Sequence, residues 1–200
     1  MVPSPRRLPH TISPGLFANG VAPDFTLLPP SLDLPWQTDG TSIFFQNDSG
    51  EVAIWEMNGT TVIGGRSLGN PGSSRHVMAI GDFNEDGTRD ILWQNDSGEV
   101  AIWEMNGTAV IGGGSLGNPG PSWHVMAIGD FNADGKSDIL FQNDSGEVDI
   151  WEMNGTAVIG GGSLGNPGQS WHAVGTGDFY GSGLSDIGGR TTAGKSQSGR

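Results

Sequence analysis

Cysteine is absent from this 200-residue chain, and tyrosine occurs once. Without thiols there are no disulfides, no thiolate metal sites and no cysteine nucleophile, so any stapling of the fold falls to packing or to oxygen ligands. Basic residues are scarce too: nine Lys and Arg against 22 Asp and Glu give a formal net charge of -13. A chain of this sign with no basic stripe repels phosphate backbones, which argues against a nucleic-acid partner and in favour of cations. No apolar run approaches the ~18 residues that a membrane helix needs, so no membrane insertion is expected. Prolines break MVPSPRRLPHTISPG before an apolar leader segment can form, and no signal peptide is legible there.

Glycine is abundant at 35 residues, which implies many turns. Eight of the twelve prolines fall before residue 36, so residues 1–35 read as an extended or disordered lead-in. The rest of the chain matches itself at a spacing of 48 residues. Residues 43–90, 91–138 and 139–186 are three consecutive units without gaps. The first two differ at 9 positions and the last two at 11, with 8 of those 11 after His172. Residues 36–186 are therefore expected to fold together. The polar, glycine-rich stretch 187–200 reads as a flexible tail with no core strand, and the array looks cut short at both ends.

Within a unit, Ile91–Gln94 and Glu99–Met105 are β-prone runs separated by Asn-Asp-Ser-Gly. The second is joined to Thr108–Ile111 by Asn106-Gly107, a strong hairpin signal, and Trp123–Phe131 follows a glycine-rich connection. Four strands every 48 residues with no helical periodicity is the arithmetic of a propeller blade. The expected fold class is all-β: a partial β-propeller of about three four-stranded antiparallel blades.

The join between one unit's last run and the next unit's first has the spacing D-x-N-x-D-G-x-x-D. It comprises Asp82, Asn84, Asp86 and Asp90 in one copy, and Asp130, Asn132, Asp134 and Asp138 in the next. Calcium takes six to eight oxygens, and alternate residues of a curled loop can aim theirs at one centre where a glycine permits the turn. Gly87 and Gly135 occupy that place. Thr88 and Lys136 would add backbone carbonyls, with Asp90 and Asp138 closing the loops. The third copy keeps Asp178 and Asp186 but has Tyr180 for the asparagine and Ser182 for the central aspartate, so a weak or empty site is expected there. The alternative is that Asp, Asn and Gly are only good turn residues. Three carboxylates within nine residues repel one another, however, unless something positive sits among them.

The segments GDFNEDGTRDILWQND and GDFNADGKSDILFQND resemble the FG-GAP or VCBS-type repeat, whose animal relatives include the integrin α-chain heads. The resemblance covers residues 43–186. It implies calcium held in loops between strands of a propeller blade, and a secreted or cell-surface adhesion scaffold for a protein or carbohydrate ligand.

Other recurring residues have plainer readings. Trp55, Trp103 and Trp151 are expected to pack between sheets. Trp123 and Trp171 are the better ligand candidates, because Arg75 stands at their place in the first unit. His76, His124 and His172 read as structural, one per blade, and six Asn-x-Ser/Thr matches all lie in predicted turns. Catalysis needs an asymmetric set of groups, whereas nearly every ionisable residue here occurs in triplicate, so no enzyme activity is expected. A non-catalytic fragment or appended domain of a larger secreted hydrolase or adhesin remains the alternative. Uncovered end blades would favour self-association to complete a propeller.

Overall fold

A computed structural model describes residues 41–191, so the lead-in at 1–35, Trp36 and residues 192–200 lie outside the described part. Among the described residues there are thirteen strands and no helix. The first sheet holds β1 (Thr41–Gln46), β2 (Val52–Asn58) and β3 (Thr61–Gly69). The second holds β4 (Arg75–Gly81), β5 (Asp90–Asn95), β6 (Val100–Asn106) and β7 (Ala109–Gly117). The third repeats it with β8 (Trp123–Gly129), β9 (Asp138–Asn143), β10 (Val148–Asn154) and β11 (Ala157–Gly165). The fourth has only β12 (Trp171–Gly177) and β13 (Asp186–Thr191). All pairings are antiparallel between sequence neighbours, as a meander requires.

The all-β, partial propeller-like fold expected from the sequence is present, but blade and repeat are out of phase. Each unit's last run becomes the first strand of the next sheet, so two blades are complete and two are partial. Three further boundaries differ from expectation. The hairpin turn is Gly107-Thr108, flanked by the pair Asn106↔Ala109, with the positive φ of 59° at Gly107 alone. The glycine-rich run after Ile111 is strand through Gly117, because the ladder to β6 needs backbone, not side chains, on this exposed edge. Likewise residues 187–191, assigned above to a tail, pair with β12: the ladder of an existing strand recruits them although they are mostly exposed.

The core lies between sheets. Leu92, Val100 and Ile102 of the second blade pack with Ile139, Phe141 and Met153 of the third in one buried cluster. One blade earlier, Val52 packs with Ile91, Trp93 and Met105, and one blade later Leu140, Val148 and Ile150 pack with Ala173. Half-buried tryptophans complete these seams. Trp103 meets Trp93 edge-on at 4.7 Å between ring centroids, and Trp151 tilts against Phe141 at 4.8 Å. The packing role expected of these tryptophans is what the structure shows.

A glutamine near the end of β1, β5 and β9 ties each of the three seams. The Gln94 amide nitrogen, Nε2, donates to the Trp123 carbonyl at 2.6 Å, and Oε1 accepts from the Val125 N–H at 3.0 Å. Gln142 binds Trp171 and Ala173 in the same way at 2.8 and 3.0 Å, and Gln46 binds Arg75 and Val77. Gln94 and Gln142 are buried, where an unpaired amide costs about 1–3 kcal/mol, so the clamp sets the seam's register. The Asn-Asp-Ser-Gly turns approach the next connection so closely that only glycine fits. At Gly98, φ is 90° and a Cβ would lie 2.3 Å from the Gly120 carbonyl carbon.

Burial of the phenylalanine that opens each acidic loop counts the blades that follow. Phe83 is 0% exposed under the third blade, Phe131 is half-buried under two strands, and Phe179 is 66% exposed. Phe83→Ala should therefore cost about 3–5 kcal/mol, whereas Phe179→Ala should change stability by less than about 0.5 kcal/mol. Urea unfolding of the two variants checks this. Equal losses would mean that neighbouring blades are not what buries these rings.

Candidate functional site

The acidic loops lie within blades, between the first and second strands. In the loop from β4 to β5, Asp82 Oδ1 accepts from the Glu85 and Asp86 N–H groups at 2.7 and 3.3 Å, and Oδ2 accepts from Gly87 at 2.9 Å. Asn84 Oδ1 accepts from the Asp86 N–H at 3.1 Å, and Asp86 Oδ1 accepts from the Thr88 N–H at 2.7 Å. The curl needs left-handed backbone at Glu85 and Gly87, with φ of 62° and 82°. The second loop repeats it. Asp130 accepts from Ala133, Asp134 and Gly135, Asn132 from Asp134, and Asp134 from Lys136, with positive φ at Ala133 and Gly135.

The structure divides the predicted ligand set. Asp82, Asn84 and Asp86 share one curl, and the Asn84 amide donates to Asp86 Oδ2 at 3.1 Å. Asp90 is turned inward instead: it is fully buried, its Oδ2 accepts from the Phe83 N–H at 3.1 Å and its Oδ1 from the Met105 N–H at 2.9 Å. Asp138 is buried and makes the same two bonds, to Phe131 and Met153, both at 2.9 Å. These carboxylates tie the loop to the third strand of the blade. Burial pushes both above the usual carboxylate range, whereas the Thr88 hydroxyl holds Asp86 below it.

Lys136 places its ammonium 3.3 Å from Glu85 in the preceding loop and 3.7 Å from Asp134, so the second loop carries a positive charge of its own. The hydrogen bond to Glu85 raises the lysine's pKa. In the third loop, Asp178 accepts from Ser182 and Gly183 at 2.9 Å, and their N–H groups hold it below the usual range, the Gly183 bond first. Asp186 is half-buried and accepts from Phe179 at 2.8 Å.

Tested against calcium, the donor chemistry fits at the first, third and fifth positions, which are all oxygen-bearing and on one curl. A convergence of carboxylates does not: among the described residues no three His, Cys, Asp or Glu side chains are grouped to hold a metal. His76 and His124 stand in exposed pairs with Asp96 and Asp144, each at 2.8 Å, one per blade, away from these loops. The partner position for His172 falls on residue 192, outside the described residues. Of the two ligand candidates, Trp123 is half-buried in the seam and lines a cavity, and Trp171 is exposed.

Residues 82–141 match the FG-GAP-like repeat family, a span that contains both complete acidic loops and the strands between them. This segment of the chain is an FG-GAP-like repeat. Neither a curated protein nor a solved structure matches the chain. The FG-GAP assignment rests on the most regular part of the array, where the loop, the Asp-Ile-Leu strand and the glutamine clamp recur in register.

Sequence reasoning missed two features of this array. The clamp glutamines were legible only as members of a strand. Asp149 was hidden among the repeats, although it is one of the 11 differences between the second and third units and replaces the alanine found at 53 and 101.

Asp90 gives the sharpest test of the loop geometry. Asp90→Ala leaves two buried N–H groups unpaired and should cost about 2–4 kcal/mol, while Asp186→Ala should cost less than about 1 kcal/mol. The measurement is urea unfolding in chelator, where loss of a cation ligand would be silent. A silent Asp90→Ala would refute the structural role.

Proposed function

We propose that this chain is a calcium-stabilised binding scaffold of the secreted or cell-surface kind, presenting a repeated β-surface to a protein or carbohydrate ligand. The observation that carries this reading is the pair of curled loops in which Asp82, Asn84 and Asp86, and again Asp130, Asn132 and Asp134, crowd oxygen donors onto one turn. Those oxygens accept hydrogen bonds from the loop's own N–H groups. A bound calcium would draw on their remaining lone pairs and on the Thr88 and Lys136 carbonyls, neutralising the mutual repulsion of the carboxylates. The third loop, with Ser182 in place of the central aspartate, would bind weakly. The repeated, symmetric distribution of ionisable groups supports binding over catalysis, and the acidic surface supports a partner other than nucleic acid.

Calcium binding to the native state alone adds RT ln(1 + [L]/Kd) per site, about 2.7 kcal/mol at a hundredfold excess over Kd. With the ~10⁻⁴ to 10⁻³ M dissociation constants usual for extracellular modules, millimolar calcium should raise the melting temperature and chelator should lower it. Calorimetry should count two sites, reduced to one in Asp134→Ala. Superimposable melting curves, or three equal sites, would contradict the reading.

A specific observation also favours self-association. Ile43 and Phe45 on the first sheet are 39% and 42% exposed, although their counterparts Ile91 and Trp93 are buried under the preceding blade. Leu164 on the third blade is exposed where Leu68 and Leu116 pack into seams. A second copy would bring the surface each end wants, and the seams between blades within the chain support a fit of the two faces. Light scattering at micromolar concentration should report a dimer or larger, shifted toward monomer by Phe45→Glu. A stable wild-type monomer would sink this part of the proposal.

A further inference from the structure

The seam between the second and third blades holds a cavity of about 260 Å³ lined by Pro119, Trp123, Phe141, Asp149 and Trp151. Its walls are aromatic, and the Phe141 and Trp151 rings meet at 55° with centroids 4.8 Å apart. Its one ionisable side chain is Asp149, whose Oδ1 is enclosed and has no hydrogen-bond partner. Burial, followed by repulsion from Glu147, pushes this carboxyl above the usual range. Among the described residues no Lys, Arg or His forms an ion pair with it.

The corresponding positions one blade earlier are Pro71, Arg75, Trp93, Ala101 and Trp103. There the chain supplies its own cation, and the Arg75 guanidinium pairs with Glu99 at 3.3 Å. In the second seam the arginine has become Trp123 and the alanine has become Asp149. With Phe141 in place of Trp93, three of the few positions at which the units differ thus fall on one cavity. Together the changes at 75 and 101 remove a resident positive charge, add an aromatic wall and add a carboxylate with one unpartnered oxygen.

We propose that this cavity binds a methylated ammonium head group, with Asp149 as its counter-ion and Trp123, Phe141 and Trp151 as its walls. The chemistry selects that class for three reasons. The Asp149 carboxylate takes a backbone hydrogen bond from Ile150, but its enclosed Oδ1 has no partner, which is costly, and a cation offsets the cost. Aromatic faces attract cations, most strongly where water is excluded, and they suit a head coated with methyl groups. A neutral sugar would want several donors and acceptors around it, and here the polar side chain is a single acceptor.

Titration of the full chain with choline chloride, followed by tryptophan fluorescence, tests the proposal. Saturable quenching is expected. The neutral isostere 3,3-dimethylbutan-1-ol and unmethylated ethanolamine should each bind at least about tenfold more weakly. Asp149→Ala should lose at least about tenfold in choline affinity with an equal or higher melting temperature, since the enclosed carboxylate is removed and alanine is what the other two units carry at this place. A trimethyllysine peptide run beside choline tells a protein-borne head group from a free one, and saturable binding of either supports the assignment. No saturation by choline or the peptide, equal binding of the isostere or ethanolamine, or unchanged affinity in Asp149→Ala would overturn it.

Discussion

Every blade of this chain is completed by its neighbour. A four-stranded sheet of this sequence has an apolar residue on each face of its second and third strands, so one sheet alone leaves both faces wet. Stacking buries Leu92 and Ile102 from one side and Phe141 and Met153 from the other, and the hydrophobic gain belongs to the seam rather than to either sheet. The glutamine clamp then adds direction. Two hydrogen bonds from one amide to the first strand of the next blade admit a single register, and in a buried setting a slip of that register would strand both partners.

The acidic loop belongs to this same economy of seams. Its phenylalanine is buried by the following blade, and its last aspartate ties the loop to the third strand of its own blade. Backbone contacts run onward as well: the Ser137 N–H donates to the Asp82 carbonyl at 2.7 Å, and Gly155 donates to the Phe83 carbonyl at 2.7 Å. A loop wired to two blades is held in its curl before any ligand arrives. The cation proposed for this loop would stabilise a seam and not merely a turn.

Near-identity of the units makes their differences informative. Arg75, Trp123 and Trp171 occupy one structural position, as do Ala53, Ala101 and Asp149, and the fold tolerates each because the strand ladders use only backbone. Substitutions of this kind leave the stacking intact while changing what a seam presents. The second seam is therefore chemically distinct from the first although the strands around it are almost the same.

Much was legible in the amino-acid order itself. The 48-residue period, the four short strands per unit, the loops rich in Asp, Asn and Gly and the packing role of the recurrent tryptophans all follow from local alternation and turn chemistry, which each unit carries in full. What the order could not convey is where one sheet ends and the next begins, since a repeat has no natural starting point and any phase of the 48 residues reads equally well. Nor could it assign Asp90 to two N–H groups rather than to the loop centre, because Phe83 and Met105 reach it only once the third strand of the blade is in place. Phe83 and Phe179 sit in the same local sequence and differ in burial solely through the blades beyond them, and Asp149 acquires its aromatic walls from three separate strands. Those outcomes depend on contacts between segments far apart in the chain, and only the tertiary structure decides them.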